Sequence, residues 1–207
     1  MFEITFLRHG ESLGNFQGII QGQSDYPLTE VGIRQAQSLA SRWSRERRTF
    51  DRLISSPLGR ARQTAEIIAA ELGLPLTLDA EWSERCFGKF EGCTLQEIQQ
   101  ISPGVDLFHP YDAVGEVGES LVDVYLRASR ALESLLRQPA GRYLVVSHGG
   151  ILHMAFYAIL GLAPQGNFNR LRFHIGNTAF TRVTYHPERR QWRIGCMNDQ
   201  EHLTNEV

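Results

Sequence analysis

Two short apolar runs constrain the fold more than any other feature. Phe2 to Leu7 and Tyr143 to Ser147 are rich in aromatic and β-branched residues and have no helical period. Each reads as a buried strand. Stretches with helical spacing lie between and beyond them. Thr29 sits at the N-cap position of a helix whose apolar face is Ala36, Leu39, Ala40 and Trp43. A short strand, Phe50 to Ser55, leads into Ser56-Pro57, read as an N-cap with proline at the first helical position. That helix buries Ala61, Ala65, Ile68 and Leu72 and stops at Gly73. Strands alternating with helices argue an α/β sheet covered on both faces. The expected architecture is a three-layer αβα sandwich with a mostly parallel central sheet.

The rest of the chain fits this plan. Residues 10–27 are rich in Gly, Gln, Asn and Asp and read as a loop. Leu76 to Leu78 reads as a short strand. Ser120 to Arg137 is helical, with Leu121, Val124, Tyr125, Ala128, Leu132 and Leu135 on one face. Gly149 to Leu160 is a helix closed by Gly161. Three strands are expected near Leu171 to His174, Ala179 to Tyr185 and Gln191 to Met197, the last two forming a hairpin at His186-Pro187. Only residues 86–118 are irregular, with one weak helix near Leu95 to Ile101. At 207 residues the chain suits one well-cored domain, 1–207, with a lid insertion at about 86–118.

Composition excludes several classes. The formal net charge of -2 gives no footprint for nucleic acid. No apolar run approaches a membrane span, and Glu3 and Arg8 interrupt the N-terminal apolar residues, so no signal peptide is read. The expected compartment is the cytoplasm. Cys86, Cys93 and Cys196 are odd in number and lack CxxC spacing, which argues against a disulfide framework or a zinc site. "HGGILH" is not HExxH, so no metal site is expected there. The apolar and aromatic C-terminal strands fit either a dimer edge or a surface under a covering helix, which leaves a homodimer open.

The candidate chemistry lies where strands end. "TFLRHG" ends in Arg8-His9-Gly10, and "LVVSHGG" ends in His148-Gly149-Gly150. In an open α/β sheet, ligands bind beyond the carboxyl ends of the strands. Neighbouring strands would therefore bring His9 and His148 together. A third junction, "LISSPLGRARQTAE", places Arg60 and Arg62 in the first turns of a helix, where arginine is unfavourable unless an anion is present. Glycines after each histidine would let backbone N–H groups approach that anion. Phosphoryl transfer wants such a set. Arginine forks neutralise the non-bridging oxygens, and a neutral imidazole, its other nitrogen held, serves as nucleophile. A leaving alkoxide also needs a carboxylic acid nearby.

With "LRHGES", "QGQSDYPLTEVG", "SSPLGRARQTAE", "ERCFGKFEG", "GES" at Gly118 to Ser120, "VVSHGG" and the terminal "NDQEHL", the chain resembles the histidine phosphatase superfamily, in the branch of cofactor-dependent phosphoglycerate mutases and small bacterial phosphatases. The resemblance spans nearly the whole chain. It implies that His9 is the phosphorylated nucleophile, that Arg8 and Arg60 grip the phosphate, and that His148 donates to the phosphoryl oxygens. Asn15, Gln21, Gly22 and Gly149 are further phosphate-binding candidates. Glu84 falls where the family often carries its proton donor, with Glu91 and Glu11 as nearby competitors. No metal or organic cofactor is implied. Arg62 reads as a structural ion-pair partner, and Glu119 as a residue that helps start a helix.

The resemblance allows mutase or phosphatase. The mutases carry extra basic residues after the Glu-Arg motif and a longer insertion. Here Cys86 to Leu126 holds only Lys89, which favours hydrolysis of a small-molecule phosphate ester. A mutase is the alternative, and a non-catalytic phosphate-binding module is a third reading. Phe87, Phe90, Phe108, His109 and Tyr111, with Asp106, Asp112 and Glu116, either favour a neutral, partly apolar or cationic leaving group or pack the lid onto the domain.

Overall fold

The computed structural model describes residues 1–163 and 171–203. Six strands form one sheet: β1 (Phe2–Arg8), β2 (Arg52–Ser55), β3 (Leu76–Leu78), β4 (Arg142–Ser147), β5 (Phe180–His186) and β6 (Gln191–Asp199). Their order is β3-β2-β4-β1-β5-β6. The first four run parallel, and β5 and β6 add an antiparallel margin. The two apolar runs are the central neighbours, with Arg8 opposite Ser147.

Side-chain alternation sends each central strand to two cores. Leu7, Leu144 and Val146 pack under helices α2 (Glu30–Arg45) and α3 (Gly59–Leu72) with Leu39, Trp43 and Ile68. Ile4, Phe6 and Val145 face α5 (Leu121–Leu136) and α6 (Gly149–Leu160) with Trp82, Leu132 and Phe156. The expected αβα sandwich is present. Local signals set the helix ends. The Thr29 hydroxyl accepts from Gly32 N–H at 3.0 Å, Ser120 and Asp123 form a capping box, and Gly73 and Gly161 close α3 and α6 with left-handed φ. No helix among the described residues is long and apolar enough to cross a membrane.

Four expectations change. Leu171 to His174 is not a strand but irregular chain. Its backbone meets side chains of helix α6 instead: the Leu171 carbonyl accepts from the Tyr157 hydroxyl at 2.7 Å, and Phe173 N–H donates to His153 Nδ1 at 3.3 Å. Helix α3 starts at Gly59, not after Ser56. Its N-cap, Leu58, has no capping side chain; instead the Asp25 carboxylate, reaching in from the loop, accepts from Gly59 N–H at 2.9 Å. Strand β2 omits Phe50 and Asp51. The 10–27 loop contains a short helix, α1 (Leu13–Gln17), started by a capping box of Ser12 and Asn15. Residues 86–118 hold α4 (Leu95–Ile101) over a small core of their own, built from Phe90, Ile98, Leu107 and Val114.

Candidate active site

β1 and β4 end side by side, and each hands a histidine to the sheet's carboxyl edge. His9 is 2 % exposed and His148 is fully buried, with ring centroids 5.1 Å apart. His9 Nδ1 lies 2.7 Å from the Gly10 carbonyl. A carbonyl only accepts, so Nδ1 carries the proton and the neutral ring has its lone pair on Nε2. His148 Nε2 is 2.8 Å from Ser56 Oγ, and its Nδ1 has no partner. With the Ser56 hydroxyl donating to Nε2, Nδ1 is an N–H donor in need of an acceptor.

Two arginines flank the histidines. Arg8 Nη1 donates to the Ile175 carbonyl at 2.7 Å. Arg60, 1 % exposed, donates to the carbonyls of Gly22 and Ser24 at 2.7 and 3.0 Å. Both Nε atoms are buried without a partner. Buried polar atoms are almost always paired, and leaving a charged donor unpaired is costly. Arg8 Nε, Arg60 Nε and His148 Nδ1 thus form a donor set that an oxyanion would complete. Burial, above all, pushes both guanidinium groups below their ordinary pKa, with carboxylates, Glu84 first, opposing.

Burial pushes the pKa of both imidazoles well below the ordinary value. Arg8 and Arg60 add to it for His9, and Arg60, His9 and Arg8 for His148. The fold therefore holds both rings neutral, the form a nitrogen nucleophile requires. The linkage has a definite sign. Below about pH 6.5 the unfolded chain binds protons that the folded one excludes, so stability rises with pH. Each such ring should contribute a loss of about 1.4 kcal/mol per pH unit below that value. Urea titrations between pH 7 and 5 in phosphate-free buffer check this; a flat midpoint would contradict neutral buried rings.

Glu84 sits on the start of helix α6. Its two oxygens accept from the N–H groups of Arg85 (2.8 Å), Gly150 (2.9 Å) and Ile151 (3.1 Å). A Cβ at Gly150 would collide with this carboxylate, so glycine is required for the approach. Arg127 is the support behind it. It is nearly buried and donates to the carbonyls of Glu81, Ser83 and Glu84 while pairing with Glu119. Nothing in its helical spacing set Arg127 apart. The competing carboxylates are engaged elsewhere. Glu91 staples Ser24, Gln23 and Phe87; burial opposes its charge, but these hydrogen bonds win and lower its pKa. Glu11 accepts from Thr29. Glu119 pairs with Arg127 and accepts from Cys86 N–H, and Arg62 pairs with Glu66, its expected structural role.

Several candidates do other work. Gly10 N–H donates to Thr64, and a Cβ there would strike helix α2 at Gly32, so this glycine serves packing and not an anion. Gly150 N–H goes to Glu84, and Gly149 lies beside the Arg8 guanidinium. Gln21 Oε1 accepts from Ser12, and the left-handed Gly22 contributes its carbonyl to Arg60. Asn15 Oδ1 accepts from Ser12 and from Asn177 Nδ2, each bond closing a link. Asn177 Nδ2 also donates to the His9 carbonyl at 3.1 Å. Next to it, Thr178 adopts φ +51, rare for a β-branched residue, and donates its N–H to the carbonyls of Arg8 and His9. His202, from the terminal "NDQEHL", meets the Thr178 hydroxyl at 2.9 Å. The Gly176-Asn177 pair signals a turn, but nothing local ties it to His9.

A cavity of about 510 Å³ opens beside the phosphate site. Arg8, Glu84, Gly149 and Gly150 line its inner end. Among the described residues, neither His9 nor His148 is on its wall. Phe87 and Phe108 line it, whereas Phe90 packs the 86–118 core and Tyr111 faces solvent. Asp106, Asp112 and Glu116 are not on its wall; Glu116 pairs with Lys89, and Asp112 with His109. Among the described residues no cluster of three or more His, Cys, Asp or Glu could hold a metal ion.

Buried neutral histidines and unpaired guanidinium donors at the carboxyl edge of an αβα sheet define an enzyme that handles phosphate esters. The chain belongs to the histidine phosphatase superfamily, branch 1, whose family model matches residues 4–200. It is 37% identical over 213 residues, covering 98% of this chain and 95% of the other, to a Yersinia pestis protein named probable phosphoglycerate mutase GpmB. Among solved structures it resembles the mycobacterial glucosyl-3-phosphoglycerate phosphatase with TM-score 0.83 and 28% identity, over 96% of this chain and 99% of that one. The phosphoserine phosphatase of Entamoeba histolytica, solved with 3-phosphoglyceric acid, matches with TM-score 0.80 and 28% identity over 98% and 100% of the two chains.

Proposed function

We propose that this protein hydrolyses small-molecule phosphate monoesters through a phosphohistidine, acting in the cytoplasm and without a metal. The observation that carries the reading is the set of unpaired donors around His9. The substrate phosphate accepts from Arg8 Nε, Arg60 Nε and His148 Nδ1. His9 Nε2 attacks phosphorus, the bond to the leaving oxygen breaks, and Glu84 in its acid form gives that oxygen its proton. Water then attacks phosphorus, the Glu84 carboxylate takes the proton, and the N–P bond breaks. Inorganic phosphate and neutral His9 remain. Charge on the non-bridging oxygens is met by fixed donors that need no reorganisation.

What supports hydrolysis over phosphoryl shuttling is that Cys86 to Leu126 holds a single lysine or arginine, Lys89, and that it is paired with Glu116. The relatives carry names of both kinds. The test is turnover of a panel of phosphate monoesters with EDTA present. Hydrolysis without loss of rate is expected; conversion of 3- to 2-phosphoglycerate faster than any hydrolysis would reverse the order of the two readings.

A further inference from the structure

The polar groups of the cavity are one-sided. Beyond the Arg8 and Glu84 end, its polar side chains are Arg85, His153, Arg172 and His174. Among the described residues no carboxylate other than Glu84 is on its wall. Arg85 is buried and lends two of its nitrogens to the carbonyls of Glu119 and Leu107, but its Nη2 has no partner. His153 Nδ1 accepts from Phe173 N–H, which leaves its proton on Nε2. Arg172 stacks over the Phe108 ring at 4.6 Å. Among the described residues no carboxylate pairs with it. Stacking occupies the face of a guanidinium and leaves its N–H edge for an anion. The remaining wall is apolar, from Phe87, Leu121, Val124, Met154 and Phe173.

The basic residues in this wall are Arg85, His153 of helix α6, and Arg172 and His174 of the 171–175 chain, all outside the 86–118 segment whose aromatic and acidic residues allowed a neutral, partly apolar or cationic leaving group. We infer that the cavity takes a leaving alcohol with a largely apolar body and a carboxylate, and that Arg172, braced by Phe108, is the residue that selects the carboxylate. The inference rests on the phosphatase reading for its kinetic test alone. A donor-rich, acceptor-poor cavity penalises a cationic or donor-rich group by leaving its own donors unpaired. Stacking on Phe108 also spares the arginine much of the conformational freedom it would otherwise lose on binding.

The test compares 4-carboxybenzyl phosphate with its methyl ester, which share body and leaving oxygen and differ by one charge. The wild type should prefer the acid by about tenfold or more in kcat/KM, with the difference in KM. Arg172→Gln should bring that ratio close to one, and Arg172→Lys should retain part of it. Equal use of both esters by the wild type, or a loss in Arg172→Gln that falls equally on both, would overturn the inference. A merely structural defect lowers both rates and leaves the ratio intact. If neither ester turns over, the phosphatase reading is decided separately by the wider panel of monoesters. Calorimetric binding of the same two compounds then decides the subsite by the same ratio and the same variants.

Discussion

A His9→Ala variant should lose at least about four orders of magnitude in kcat, because removal of a covalent nucleophile takes away a whole reaction path and not one stabilising contact. The fold should survive it. His9 makes one side-chain hydrogen bond, to the neighbouring Gly10 carbonyl, so the change leaves no distant partner exposed. Arg8, Arg60 and His148 stay in place, and the variant should still bind inorganic phosphate. The chemical readout is more telling than the rate. After brief exposure to labelled substrate and a denaturing quench, the wild type should carry phosphate that is labile in acid and stable in base. That label surviving in His9→Ala would remove His9 from its role. Loss of the label together with loss of the folded signal in circular dichroism would show only a folding defect, so both are measured on the same sample.

Glu84→Gln should lower the rate of the first chemical step by about 10²- to 10⁴-fold for an alkyl phosphate, the usual worth of a general acid. For 4-nitrophenyl phosphate, whose leaving group needs no proton, the loss should be much smaller. Single-turnover kinetics isolates this step from hydrolysis of the phosphohistidine, in which Glu84 is proposed to act as base. Equal losses for both leaving groups in that step would deny Glu84 its part as acid. The variant also has a structural cost. Three N–H groups converge on the Glu84 carboxylate, and an amide must turn its own NH₂ toward at least one of them. Such a donor–donor contact costs about 1–3 kcal/mol. The same geometry bears on the proposed reaction: to give a proton to the leaving oxygen, the carboxyl would have to loosen part of its hold on helix α6.

The layout of the sheet and the inner site were legible because their signals are local. A buried strand that ends in a histidine and a glycine announces the carboxyl edge, and Arg60 follows a strand by a few residues. Thr29, Ser120 and Gly73 marked helix ends by their own chemistry. What escaped depended on residues that meet only in three dimensions. Ser56 at His148, Asn177 and Thr178 at His9, Arg127 behind Glu84, and Arg172 over Phe108 are joined across the sheet or from loop to loop. The glycines misled for the same reason. Gly10 looked like a phosphate glycine, but the body that crowds it is helix α2. Asn15 was half legible, since Ser12 three residues before it has capping-box spacing.

The arrangement of β1 bears on how the protein folds. His9 directly follows β1, yet both strands that flank β1 are far along the chain, β4 at Arg142–Ser147 and β5 at Phe180–His186. The turn that grips the His9 carbonyl is at Asn177 and Thr178, and its brace is His202. Pairings this distant in sequence form late. The surroundings of His9 are thus incomplete until residues as far apart in sequence as His9, Asn177 and His202 have met.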